Sequence, residues 1–160
     1  MEMIRWLNDN IEESILIILS IITVIIVFLQ VVMRTVFNSS LVWSEELARY
    51  LFIWLIYIGV AYGVKKNRHI SVEVVTYILG RKGNWILSII ANILFLIFAI
   101  LICYLSFNVT MSVNRMSPAM GIPMSLVYAA PFVGMLLTSI RIVQKLIDDR
   151  KTYKEGEVES

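Results

Sequence analysis

The sequence predicts an all-α integral membrane protein, with four transmembrane helices and short interfacial amphipathic helices beside them. Two observations carry that fold class. Of 160 residues, 59% are apolar and 16% charged, whereas a soluble domain has roughly 45–50% and about 25%. The charges also leave long gaps: 20 uncharged residues from Ser14 to Met33, 15 between Arg49 and Lys65, 32 between Lys82 and Arg115, and 25 between Arg115 and Arg141. A helix rising 1.5 Å per residue needs about 20 apolar residues to cross a bilayer. The gaps therefore predict spans at about 14–36, 45–64, 84–108 and 122–141, within a single membrane domain over residues 1–147 and with a polar tail at 148–160.

In MEMIRWLNDNIEE, the apolar residues Met3, Ile4, Trp6, Leu7 and Ile11 recur at helical spacing opposite Glu2, Arg5, Asn8, Asp9 and Glu12. That pattern predicts an amphipathic helix over 2–12 lying at the membrane surface. The first apolar run that follows is too long for a signal-peptide core and lacks a small-residue cleavage pattern, so it reads as a retained span.

The second span opens on WSEELARY. Ser44 is placed to cap the helix, with Glu45 and Glu46 in a first turn where the dipole favours anions. Arg49 follows four residues after Glu45 and three after Glu46, so one face can bring both carboxylates to one guanidinium. Only 15 uncharged residues then precede Lys65, about 22 Å of helix, so the span includes the charged turn. Two acids against one Arg leave a spare negative charge, which either Arg34, at the end of span one, or a partner can take. Neighbouring residues on a helix point about 100° apart, and no nucleophile, His or metal cluster accompanies the carboxylates on this face, which excludes acid/base catalysis. Gly59, Ala61 and Gly63, in the same span, are candidates for close helix contact.

Beyond Lys65, the segment KKNRHISVEVVTYILGRKGN places Val74, Val75, Ile78 and Leu79 on one face, with Ser71 as a possible cap and Gly80 as a possible end. It is either a second interfacial helix or a continuation of a neighbouring span. Span three is longer than a ~30 Å hydrocarbon core requires and should tilt or protrude. Span four begins at GIPMSLVYAAPFVG. Pro123 suits its first turn, whereas Pro131 lies inside and must kink the helix or free a carbonyl. Pro123 and Pro131 thus shape this helix. From Asp148 onward the composition predicts disorder.

Eleven of the fourteen Lys and Arg residues fall in the N-terminal segment, the loop between spans two and three, and the tail; Arg34, Arg49 and Arg115 fall on the other side. The positive-inside rule then puts both termini in the cytoplasm and WSEELARY outside. The net charge of +2 is small, and nucleic acid is not an implied partner. A lone Cys103 and a lone His69 exclude dithiol chemistry, structural zinc and bis-histidine haem within this chain; no catalytic residue, metal or cofactor is expected. Mid-span polar residues such as Ser20, Thr23, Asn92 and Ser125 are uncharged, and residues of that kind join helices more often than they bind substrate.

The run VVMRTVFNSSLVWSEELARYLFIWLIYIGVAYGVKKNRHISVEVV resembles the small membrane subunit, DctQ-like, of the tripartite ATP-independent periplasmic (TRAP) transporters. An Arg ends span one, a short loop follows, a Trp with an acidic pair opens span two, and basic residues with a His-Ile dipeptide close it. SPAMGIPMSLVYAAPFVG is similar to the family's second signature, although Met124 and Ser125 stand where a tryptophan is frequent. The resemblance implies a non-enzymatic accessory subunit in a bacterial inner membrane. It would brace a large, sodium-coupled elevator subunit (M type), and a periplasmic binding protein (P type) would deliver an organic acid such as sialic acid or a C4-dicarboxylate. On that reading Arg34, Glu45, Glu46 and Arg49 hold the outer ends of spans one and two together or contact the large subunit or the docked binding protein, Pro123, Tyr128 and Pro131 shape span four, and membrane lipid is the remaining surround. A stand-alone four-helix exporter is the alternative, but it would carry a membrane-embedded acid in span one, and none is present.

Overall fold

A computed structural model describes residues 2–66 and 73–158; the side chains of residues 2–9, 73–82, 84, 85 and 151–158 lie outside that description. Four helices follow in order: α1 (Glu2–Val36), α2 (Val42–Lys65), α3 (Glu73–Ser112) and α4 (Ser125–Val158). Each contains a stretch long and apolar enough to cross a membrane: Asn10–Val36, Val42–Lys65, Ile86–Ser112 and Ser125–Arg150.

Helices suit this sequence because every backbone donor and acceptor must be satisfied without water inside a bilayer. The polar residues of the spans obey the same constraint. Thr23 Oγ1 donates to the Leu19 carbonyl at 2.7 Å, Thr110 to Ser106 at 2.7 Å and Ser139 to Met135 at 2.8 Å. These hydroxyls bond back to their own helix; Thr23, expected from its sequence position to join helices, is among them.

The helices form an open row, not a closed bundle. α1 packs on α2, α2 on α4, and α4 on α3; among the described residues no other pair of helix backbones comes together. The core is correspondingly thin and lies along α2 and α4, where Ile58, Ala61, Val64, Val127, Ala130, Met135 and Ile142 are buried. The end helices, α1 and α3, show long exposed faces of Ile, Leu, Val and Phe, as a surface against lipid requires.

Several boundaries differ from those the sequence suggests. The amphipathic segment 2–12 and the first span are one unbroken helix, because nothing between Glu12 and Ser14 breaks helical periodicity. His69 and Ser71 lie outside the described residues, while Gly80 is interior to α3 rather than at a helix end. The segment from Glu73 is therefore a continuation of span three, 40 residues long in all. At the other terminus α4 runs on to Val158, through the region whose charge had predicted disorder. Alternating acids and bases there, Asp148, Asp149, Arg150, Lys151, Lys154 and Glu155, are compatible with a solvated helix.

Candidate functional site

Two polar clusters mark opposite ends of the row. At the end formed by the α1–α2 and α3–α4 connections, α2 starts at Val42 with Leu41, not Ser44, as the flanking cap residue. Ser44 is one turn inside and fully buried, and its hydroxyl donates back to the Leu41 carbonyl at 2.8 Å. Asn38, at φ 49°, takes the left-handed conformation that Asn tolerates beyond a helix end, and the Ser39 N–H bonds back to the Met33 carbonyl at 3.1 Å.

The two carboxylates of this turn part company. Glu45 pairs with Arg49 at 3.2 Å, with both side chains about two-thirds exposed. Glu46 turns instead toward the α3–α4 connection: one oxygen accepts the Tyr50 hydroxyl, and the other accepts the Ala119 and Met120 N–H groups at 2.9 and 3.1 Å. Arg34 is exposed and makes no ion pair with either acid among the described residues. The surplus charge left by one Arg and two acids is therefore met by backbone amides, a partner that spacing along one helix does not reveal.

Those amides belong to a short hairpin. Met116 and Pro123 form an antiparallel bridge, closed by Ser117 N–H to the Ile122 carbonyl at 2.8 Å and Met124 N–H to the Arg115 carbonyl at 2.9 Å. Gly121, at φ 65°, supplies the left-handed residue that the reversal requires. Pro123 thus sits in the bridge, two residues before α4 begins, rather than in its first turn; its carbonyl accepts the Leu126 N–H at 3.1 Å. Tyr128 is half-buried in that first turn, and its N–H bonds to the Met124 carbonyl at 3.1 Å. Pro131 lies inside α4, which continues through it, leaving the Val127 carbonyl without its usual N–H partner.

The opposite end holds a cluster that sequence reasoning missed. Glu12 of α1 is buried, with 2% of its surface exposed. Its Oε1 accepts Arg141 Nε of α4 at 2.8 Å, and Lys65 Nζ of α2 lies 3.6 Å from Oε2. Gln144 accepts from the same guanidinium at 2.8 Å. Beside it the Tyr62 hydroxyl donates to Glu13 at 2.9 Å, Lys66 approaches Glu13 at 3.7 Å, and its ammonium stands 5.6 Å from the centre of the Tyr62 ring. Glu12 looked like the polar face of a surface helix; only the row's geometry brings Arg141, 129 residues away, onto it.

The small residues of α2 also separate. Ala61 is fully buried. A Cβ on Gly59 would meet only Leu16 Cδ2 at 3.9 Å, and one on Gly63 would meet nothing within 4 Å. The close crossing is elsewhere: a Cβ on Gly134 of α4 would fall 2.5 Å from Tyr57 Cβ and 2.7 Å from the Tyr57 carbonyl oxygen. Gly134 is buried, and its carbonyl accepts the buried Thr138 hydroxyl at 2.7 Å.

Neither cluster combines a nucleophile with a base, and among the described residues no three His, Cys, Asp or Glu side chains gather as metal ligands. Both are arrangements that hold helices and a loop in place. Residues 23–152 match the sequence pattern of the tripartite ATP-independent periplasmic transporters, DctQ component. The chain is 34% identical over 155 residues, 96% of each chain, to a Haemophilus influenzae protein named as a TRAP transporter small permease protein. It is 30% identical over 101 residues to the C4-dicarboxylate TRAP transporter small permease protein DctQ of Vibrio cholerae, covering 63% of this chain and 44% of that one. A third match, 27% identical over 132 residues, is the sialic acid TRAP transporter permease protein SiaT of Haemophilus influenzae; it takes in 81% of this chain but only 21% of the much longer relative. This protein therefore belongs to the DctQ family, as a TRAP transporter small permease subunit and not an enzyme.

Proposed function

We propose that this subunit braces the large membrane subunit of a TRAP importer of an organic acid, of the sialic acid or C4-dicarboxylate type. The observation that carries the reading is the SiaT relative, in which a segment similar to this chain is part of one long permease polypeptide. Covalent joining in a relative fits a subunit whose place is beside the larger one. Both substrate classes come from relatives' names.

The uneven Lys and Arg distribution supports cytoplasmic termini and an exterior location for the Glu45–Arg49 pair and the hairpin at 115–124. There the Glu46-anchored hairpin is a preformed surface within reach of a periplasmic binding protein. The spans carry no charged residue at mid-depth, where ion and substrate paths frequently place one, which favours sodium coupling in the large subunit. Co-expression with the large subunit and the binding protein, followed by uptake in proteoliposomes, tests the reading: solute should accumulate with all three components, and omission of this chain should reduce accumulation.

A further inference from the structure

We infer that α2 carries the docking seam for a transmembrane helix of the large subunit, along the stripe Glu45, Arg49, Phe52, Ile56, Gly59 and Gly63. The inference rests on the association proposed above and adds where it occurs. These positions are separated by alternating steps of four and three residues, the repeat of two helices packed side by side at a shallow angle. At 100° per residue they occupy one stripe about 80° wide.

Among the described residues this chain leaves most of the stripe bare, with α1 reaching it at Gly59, beside which Leu16 lies. Phe52 and Ile56 are exposed, the Glu45 and Arg49 side chains are about two-thirds exposed, and a side chain at Gly63 would meet open space among the described residues. Packing within the chain uses the rest of the circumference: Tyr57 against Gly134, Tyr62 on Glu13, Lys65 on Glu12, and Ala61 in the core.

Bare faces also occur on α1 and α3, yet they differ in kind. Those two spans are far more apolar than α2 and α4, and their exposed faces are made of large aliphatic and aromatic side chains suited to lipid. α2 is the least apolar of the four spans, yet less of it is buried than of α4. Lipid is a poor neighbour for an exposed ion pair and for a Gly-x-x-x-Gly step. A second helix serves both, approaching closely over Gly59 and Gly63 and presenting polar groups to Glu45 and Arg49 at the other end. The occupant is thus a helix with small or apolar side chains opposite the glycines and a hydrogen-bonding side chain near its end.

The test uses the co-expressed complex, with the large subunit tagged and this chain recovered through it in mild detergent. Gly59→Leu and Gly63→Leu should each lower recovery about tenfold or more, whereas Ala91→Leu, on the exposed face of α3, should leave it unchanged. The Gly63 variant should keep the melting temperature of the isolated chain, since a Cβ there meets no described neighbour within 4 Å; Gly59→Leu must also displace Leu16 of α1, so Gly63→Leu is the variant whose lost recovery reports the seam alone. Placing a photocrosslinker by Phe52→p-benzoylphenylalanine should give an adduct with the large subunit, and Ile97→p-benzoylphenylalanine should not. If the unaltered chain fails to copurify, the association and the seam fall together. If it copurifies, the glycine variants copurify equally and position 52 gives no such adduct, the seam alone is overturned. An adduct between two copies of this chain would assign the face to self-association and overturn it as well.

Discussion

Arg141 Nε lies 2.8 Å from Glu12 Oε1, joining α4 to α1 across a gap that their backbones do not close. α2 stands between them and contributes Lys65 to the same carboxylate. In an open row, where each helix has few neighbours, this is the contact that ties three helices at one end. A buried ion pair gains little over a hydrophobic substitute, but breaking one leaves an uncompensated charge.

Arg141→Ala should therefore destabilise the isolated subunit, toward the lower side of the about 3–5 kcal/mol seen when one partner of a buried pair is removed, because Lys65 still offsets part of the Glu12 charge. Thermal unfolding in detergent measures it. Arg141→Lys should lose less than Arg141→Ala, since a cation still faces the Glu12 carboxylate. An Arg141→Ala melting curve that overlays the unaltered one would mean that the pair is ornamental.

Gly134→Ala should loosen the α2–α4 crossing, because the added methyl has no room against the Tyr57 backbone. Overpacking of this kind costs about 1–3 kcal/mol, and a lower melting temperature reports it. Gly63→Ala is the internal contrast: it meets nothing in this chain and should leave the isolated subunit as stable as before.

Glu46→Ala should free the Ala119 and Met120 amides, which share one carboxylate oxygen. Hydrogen exchange in 115–124 should then speed up by about tenfold or more, as local opening becomes less costly. Glu45→Ala should leave that exchange unchanged, since among the described residues the Glu45 carboxylate pairs only with Arg49 on its own helix. Equal effects from the two substitutions would contradict the division of labour between the adjacent acids.

Much of this arrangement was legible in the residues, and the limits follow a physical pattern. Spacing along one helix exposed the Glu45–Arg49 pair and the stretches long enough to span, because both depend on the chain's own periodicity. It could not show that Glu46 turns to amides 73 residues away, nor that Glu12 meets Arg141, because each depends on which helices become neighbours. Gly134 escaped for a related reason: α2 displays a Gly-x-x-x-Gly step, whereas the single glycine that permits the tight crossing shows no repeat. The shift of Pro123 from helix to hairpin reflects a bridge with Met116 that its fixed φ accommodates equally well.

The central claim is that this chain supports transport without conducting it, and reconstituted uptake tests that most directly. Proteoliposomes holding this subunit alone, with a sodium gradient and the loaded binding protein outside, should take up no more solute than empty vesicles, while vesicles that also hold the large subunit should accumulate it. Sodium-dependent accumulation by this chain alone would contradict the account.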